Sequence, residues 1–163
     1  QSHFINGGKT VDQIPLEVLC GSAQLIDLSG VYTKKGVEAS DLEPFLDGTK
    51  TDRIILRYDW SKNWGSNKFY NEYPFISIDA AKLIIDKGIK LVGMDTPSMD
   101  NPLHCYGSGM DSPVHKILLS EGIVIVEYLC NLSLIDTTIF EFFALPLKIN
   151  GVDGSPSRCI GIV

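Results

Sequence analysis

Residues 77–94, SIDAAKLIIDKGIKLVGM, carry a clear pattern of one helix followed by one strand. Ser77 is a residue type that caps helices, apolar side chains recur on one face after it, and Gly88 follows the last turn. The next six residues, IKLVGM, are apolar and bounded by polar positions, as in a largely buried strand. The stretch therefore predicts a helix followed by a strand, which is the repeating unit of α/β domains.

The same alternation of strands and helices extends in both directions along the chain. Further strands are predicted at residues 24–28, 53–57, 123–129 and 157–163, and at 138–149 as one bent strand or two, because Pro146 interrupts it. Further helices are predicted at residues 11–19, 40–46 and 112–121. We therefore predict an α/β fold, a single domain over residues 1–163 with a mixed β-sheet and flanking helices.

Composition excludes several classes of protein. The 163 residues are 44% hydrophobic and 21% charged, which suits one folded domain and excludes a disordered chain. The net charge of −6 disfavours nucleic-acid binding, and no apolar run is long enough to span a membrane. No signal-peptide pattern opens the chain. Free thiols and a cytoplasmic location are predicted from four cysteines without C-x-x-C spacing: Cys20, Cys105, Cys130 and Cys159.

The segment from Tyr58 to Pro74 is rich in aromatic residues and has no clear period. Its five aromatic residues after Tyr58 are Trp60, Trp64, Phe69, Tyr70 and Tyr73. One interpretation is the wall of a binding pocket, since functional residues concentrate in such loops. The other is a loop folded onto the core, because aromatic residues dominate cores too.

Glu127 and His115 are the most informative polar residues. Glu127 lies within the apolar run at 123–129, and burying an unpaired carboxylate is costly, so it needs a cation, a donor or a proton. His115 lies in the helix just before that strand. Imidazole and carboxylate together suit zinc or manganese, but a zinc site requires at least three protein ligands. The alternatives are a Glu127 that points outward and a structural His115.

Two short polar motifs follow predicted strands. Residues 93–98, GMDTPS, lie where α/β folds often place sites, although Asp95 could simply cap a turn before Pro97. Residues 151–156, GVDGSP, are typical of a β-turn between the last two strands. His104 is expected in a surface loop without a role in chemistry.

Several stretches, taken in order, carry a resemblance to a known family. They are residues 3–16 (HFINGGKTVDQIPL), 56–62 (LRYDWSK), 73–77 (YPFIS), 91–98 (LVGMDTPS), 115–119 (HKILL), 125–129 (IVEYL), 144–149 (ALPLKI) and 154–158 (GSPSR). They resemble the cyclase family of metal-dependent hydrolases, which includes bacterial kynurenine formamidases and isatin hydrolases. The stretches span nearly the whole chain in the family's order, so the chain is identified as a member.

The resemblance implies a swivelling β/β/α-like fold and a metal-dependent amide or formamide hydrolase. Its implied reaction resembles that of an arylformamidase, which converts N-formylkynurenine to kynurenine in tryptophan catabolism. The alternatives are a hydrolase of a cyclic amide such as isatin, a polyketide cyclase, or a non-catalytic oligomerisation or ligand-binding module. A homodimer or homotetramer is also implied, for which the apolar residues 140–145 could serve as an interface or simply as a core strand.

Roles for individual residues follow from the same resemblance. His115 and Glu127 occupy metal-ligand positions for zinc or manganese, and His3 occupies that of the catalytic proton carrier. The first histidines and the aspartate of the family's H-x-G-T-H-x-D motif would precede Gln1, so we expect an N-terminally incomplete domain whose site is completed upstream. From composition and place, Trp60 and Trp64 are predicted to contact an aromatic small-molecule substrate.

Overall fold

One mixed sheet of six strands organises the protein. The computed structural model describes residues 1–30, 36–104 and 111–163. The strands are β1 (Cys20–Asp27), β2 (Arg53–Arg57), β3 (Leu91–Met94), β4 (Val124–Val126), β5 (Ile139–Pro146) and β6 (Ser157–Ile162). They lie in the order β4-β3-β2-β1-β5-β6, with β1 to β4 parallel and β5 and β6 each antiparallel to its neighbour. The α/β fold with a mixed sheet is confirmed.

Helices connect the parallel strands, as the alternation predicts. The α-helices are α1 (Leu16–Leu19), α2 (Ala39–Leu46), α3 (Asn67–Asn71), α4 (Ile78–Asp86) and α5 (Pro113–Ser120). Short 3-10 helices lie at Val11–Gln13, Trp60–Asn63, Pro102–His104 and Leu132–Leu134. α4 packs against both α2 and α5, so the three crossover helices form one layer.

Each face of the sheet carries its own hydrophobic core. Ile54 and Leu56 of β2 face the helical layer and pack with residues of α2, α4 and α5. Ile55, between them, points to the opposite face, as strand alternation requires. That second core is built from α1, β5 and the turn after β4, and includes Leu19, Leu25, Leu91, Leu132, Phe140 and Phe142. Of the two interpretations of residues 140–145, the core strand is the one that the burial of Phe140, Phe142 and Ala144 supports.

Several elements differ from their predicted extents; β1, for example, begins at Cys20, before the predicted strand at 24–28. The helix predicted at 11–19 is divided into a 3-10 turn and α1, because the residue before Pro15 is forced out of the helical region. β4 ends at Val126, so Glu127 follows the strand instead of lying within it. Tyr128, with φ of +60°, turns the chain there, and the N–H groups of Tyr128 and Leu129 donate to the carbonyls of Thr96 and Met94.

Other expectations concern the thiols and the surface. Cys20, Cys130 and Cys159 are free thiols, whereas Cys105 lies outside the described residues. His104 ends a 3-10 helix without buried residues, consistent with its predicted surface position. In the described part of the chain, no helix combines the length and apolar character needed to cross a bilayer.

Candidate functional site

His115 and Glu127 meet at the carboxyl end of the parallel strands. His115 lies in the first turns of α5, and Glu127 directly follows β4. The Nε2 atom of His115 is 3.3 Å from Oε1 of Glu127. The carboxyl ends of parallel strands are where α/β folds place binding sites. The structure thus brings together the two residues predicted as ligands, while their ligand role remains a prediction.

Asp100 holds the other side of the His115 ring. Its side chain is fully buried, and Oδ2 lies 2.5 Å from Nδ1 of His115. The same carboxylate accepts hydrogen bonds from the backbone N–H groups of Val114 (2.7 Å) and His115 (3.2 Å). An anion on the first N–H groups of α5 is favourable, since these groups have no partner within the helix. Asp100, His115 and Glu127 therefore form a continuous polar chain.

The two carboxylates control the charge of the His115 imidazole. Burial alone would lower the pKa of His115, but hydrogen bonds and attraction from Asp100 and Glu127 outweigh it and raise that pKa to about 9. In the absence of a competing cation the ring is therefore protonated at neutral pH. A metal ion at Nε2 must displace this proton, as is usual for histidine ligands.

His3 lies near the same cluster at the start of the chain. Its Nδ1 is 2.5 Å from Oδ2 of Asp153, in the connection between β5 and β6. Hydrogen bonding to His3 lowers the pKa of the Asp153 carboxyl. The next residue, Phe4, places its ring 5.6 Å from the imidazole of His115. The first residues are therefore positioned beside α5 and the β5–β6 connection.

Asp95 anchors the aromatic segment that follows β2. Its carboxylate, 1% exposed, accepts hydrogen bonds from the backbone N–H groups of Tyr58 (2.9 Å) and Trp60 (2.7 Å). Burial raises the pKa of the Asp95 carboxyl, while these hydrogen bonds act in the opposite direction. Asp95 of the GMDTPS motif therefore has a structural role, and the loop that it holds borders the site.

The two tryptophans have different surroundings. Trp60 is 4% exposed in the core under the helical layer, and its indole N–H donates to the carbonyl of Phe69. Trp64 is 64% exposed, and its ring lies 5.7 Å from that of Tyr128 and 6.3 Å from that of Tyr70. The aromatic segment is therefore partly core and partly surface. The core interpretation holds for Trp60, and the pocket-wall interpretation stays a prediction.

A wide cavity of about 1560 Å³ connects these features. Its lining includes His3, His115, Glu127, Asp153, Tyr70 and Tyr128. Neither Trp60 nor Trp64 is among the described residues that line it. The cavity continues across the second core face toward β6, so its floor is apolar while its polar groups gather at the His115 end.

Comparison with known proteins assigns the family. The family model described as "Putative cyclase" matches residues 1–101. A kynurenine formamidase of Bacillus mycoides (strain KBAB4) is 34% identical over 159 residues, which cover 97% of this chain and 70% of the relative. The chain belongs to the cyclase family. A kynurenine formamidase of Bacillus anthracis is 33% identical over the same lengths.

Solved structures agree with the cyclase-family assignment. A potential metal-dependent hydrolase with cyclase activity superposes with a TM-score of 0.80 at 30% identity, covering 98% of this chain and 73% of the other. Isatin hydrolase A from Labrenzia aggregata superposes with a TM-score of 0.85 at 25% identity, covering 98% of this chain and 69% of the other. The expected cyclase fold is confirmed, and so is the prediction of a hydrolytic enzyme.

The geometry of His115 and Glu127 is compatible with two ligands of one metal ion. Zinc bonds to histidine nitrogen and carboxylate oxygen of about 2.0–2.2 Å place two tetrahedral ligands roughly 3.3–3.6 Å apart. The separation of 3.3 Å in the His115–Glu127 pair lies at the lower end of that range. Oε1 of Glu127 is buried and, apart from the His115 ring at 3.3 Å, meets no hydrogen-bond donor among the described residues, which suits a cation ligand. Three or more ligand side chains do not cluster within the described ranges, so this pair fits part of a ligand set.

Two acidic residues of the site were missed in the sequence. Asp100 lies five positions after Asp95, and only the approach of α5 in the fold reveals its contact with His115. The turn pattern at residues 151–156 explains the position of Asp153 but not its contact with His3. A general signal was available for Asp100: an acidic residue shortly after a strand at the site-forming edge of the sheet.

Proposed function

We propose that this chain is a metal-dependent hydrolase of amide or formamide bonds and that its substrate is an aryl formamide of the N-formylkynurenine type. The observation that carries the proposal is the convergence of His115 and Glu127 at 3.3 Å, at the mouth of a cavity that His3 also borders. The kynurenine formamidases at 33–34% identity support the substrate class. The metal-dependent hydrolase at 30% identity supports the metal.

His115, through Nε2, and Glu127, through Oε1, would hold the ion, which we propose to be zinc or manganese. A divalent ion bound there supplies polarisation of the substrate carbonyl and lowers the pKa of a water molecule. Asp100 keeps Nδ1 of His115 engaged, so that Nε2 faces Glu127. Further ligands are required, because a catalytic zinc has at least three protein ligands.

His3 is the proposed proton carrier. When the amide carbon–nitrogen bond breaks, the leaving nitrogen must gain a proton, and a positioned imidazole supplies it well near neutral pH. Asp153 engages Nδ1 of His3, which leaves Nε2 to exchange the proton with the substrate. Nearly half of the His3 side chain is exposed, so its ring is accessible from the cavity.

The aromatic residues at the cavity are proposed to bind the ring of the substrate. Tyr70 and Tyr128 line the cavity, and Trp64 packs edge-on against Tyr128. Edge-to-face and offset stacking favour a flat aromatic ligand at such a wall. Trp64 would therefore contribute directly or through Tyr128, whereas the buried Trp60 would contribute by holding the segment in place.

A cyclic amide of the isatin type is the second candidate substrate. The observation in its favour is the TM-score of 0.85 with isatin hydrolase A, although the sequence identity is only 25%. Both candidates are aryl amides, and they differ in whether the scissile bond lies in a ring. Parallel assays with N-formylkynurenine and isatin distinguish them by their kcat/KM values.

We further propose a homodimer or homotetramer in the cytoplasm. β6 is the outer strand of the sheet, and its apolar residues Ile160 and Ile162 are half-exposed, with Val163 following. Exposed apolar edge strands are usually covered or paired. Native mass spectrometry of the protein purified from its source without chelator measures subunit number and bound metal together.

The test of the proposed function combines that measurement with activity. We expect a stoichiometric divalent ion and a hydrolysis rate for N-formylkynurenine that chelator abolishes and metal restores. Protein that carries no divalent ion and whose activity is indifferent to chelator would contradict the metal-dependent mechanism. If the protein hydrolyses isatin but not N-formylkynurenine, the substrate is a cyclic amide and not an aryl formamide.

A further inference from the structure

The contacts of Asp100 exceed those that a helix cap needs. Its two oxygens accept from the N–H groups of Val114 and His115, and Oδ2 also meets Nδ1 of the His115 ring at 2.5 Å. Ser112, at the usual capping position of α5, forms no side-chain cap, so Asp100 takes over that function. The ring contact is additional, because the two backbone bonds alone would satisfy the helix terminus.

We propose that Asp100 is a positioning residue that determines which nitrogen of His115 binds the metal. Its ionised carboxylate can only accept, so the ring must present Nδ1–H to it. Once an ion has displaced the Nε2 proton, the lone pair of that atom is directed toward an ion bound beside Glu127. Histidine ligands commonly depend on such an outer carboxylate for tautomer and ring orientation. The consequence for metal binding rests on the proposed function, whereas the orientation of the ring does not.

The geometry restrains the ring more strongly than one hydrogen bond would. Oδ2 contacts both the backbone N–H and the ring of the same residue, which restricts rotation of the His115 side chain. Asp100 is itself fully buried and held by α5, so it has no room to follow a displaced ring. The position of Nε2 is therefore set before any ion arrives, which reduces the cost of ordering the ligand.

The substitution Asp100→Asn tests this role. The amide oxygen can still accept from the N–H of Val114, so α5 keeps part of its cap, while the amide NH₂ faces both the backbone N–H and Nδ1 of His115. Nδ1 must then accept, and the proton moves to Nε2, the atom that should bind the ion. We expect zinc affinity to fall by about 10- to 100-fold, as for other outer-shell carboxylates, with helix content unchanged. Titration of the protein with Zn²⁺, followed by calorimetry, measures this change.

Nuclear magnetic resonance of the His115 ring provides a readout independent of activity. Nitrogen-15 spectra of the zinc-loaded wild type should show a proton on Nδ1 and none on Nε2. Spectra of metal-free D100N should show the neutral ring protonated on Nε2. The matched control is Asp95→Asn, which alters a buried carboxylate that also accepts backbone N–H groups but does not touch His115. It should leave the His115 spectrum and zinc affinity as in the wild type.

The possible results separate this inference from the proposed function. An Nδ1–H signal in the wild type that is lost in D100N supports the role of Asp100, even if no hydrolytic activity is found. Wild-type zinc affinity in folded D100N overturns the role, even if the enzyme hydrolyses formamides. If D100N does not fold, the wild-type spectrum decides alone, because a ring protonated on Nε2 and not Nδ1 overturns the inference.

Discussion

The Nε2 atom of His115 lies 3.3 Å from Oε1 of Glu127, although one residue belongs to α5 and the other follows β4. The parallel connection between these elements brings the two side chains together at one edge of the sheet. The pair occupies two positions of a proposed metal site, so loss of either should weaken the binding of the ion.

His115→Ala should reduce metal occupancy and hydrolysis together. The variant removes one ligand and leaves the carboxylates of Asp100 and Glu127 facing each other without the imidazole between them. Elemental analysis of the purified protein measures the occupancy. The control is His104→Ala, at a half-buried histidine in the 3-10 helix Pro102–His104 for which no role in the chemistry is predicted. Equal behaviour of the two variants would mean that His115 is not a ligand.

Trp64→Ala should weaken substrate binding, whereas Trp60→Ala should lower the stability of the protein. Trp64 is 64% exposed beside Tyr128, so its loss should raise KM for an aryl formamide with little change in unfolding. Trp60 is buried, and its replacement should cost about 3–5 kcal/mol of stability. Chemical denaturation and steady-state kinetics measure the two quantities. An unchanged KM in Trp64→Ala would remove that residue from the substrate site.

Asp153→Ala should lower kcat more than it raises KM. Asp153 contacts Nδ1 of His3, so its replacement by alanine removes the group that orients the ring. General acid catalysis contributes about 10²–10⁴-fold in other enzymes. A decrease of kcat by about tenfold or more is expected from partial loss of that contribution. Asp136→Ala, at an exposed carboxylate elsewhere, serves as the comparison. The same kcat in both variants would show that Asp153 does not assist His3.

Asp95→Asn should destabilise the aromatic segment. In the wild type both carboxylate oxygens accept hydrogen bonds from backbone N–H groups. In the variant the amide NH₂ would face one of these donors and could not accept from it. Leaving a buried donor unsatisfied costs about 1–3 kcal/mol. Urea denaturation should show this loss, and hydrogen exchange should show faster exchange of the Tyr58 and Trp60 amides. Protection equal to the wild type would mean that Asp95 does not anchor the segment.

The strands and helices could be predicted because their signals are local. Residues 77–94 carry a cap, an apolar face and a buried run in sequence, and the structure forms α4 and β3 there. The end of β4 could not be placed in the same way. Tyr128 adopts a positive φ because its N–H and that of Leu129 bond to the segment after β3, a contact distant in sequence.

The same distinction applies to the site. Glu127 could be found because a carboxylate in an apolar run conflicts with its surroundings. Asp100 has no such conflict in its polar sequence neighbourhood, and its burial arises only when α5 closes over it. The backbone position of Trp60 depends likewise on Asp95, which lies more than thirty residues further along the chain.

Six consecutive residues, 95–100, begin with the carboxylate that secures the aromatic segment and end with the one that secures His115. An insertion or deletion between them would shift both halves of the site at once. The exposed tip around Trp64 is attached to Asp95 only through its first residues. We therefore expect that exchange of that tip for another loop would leave the positions of Asp100, His115 and Glu127 unchanged.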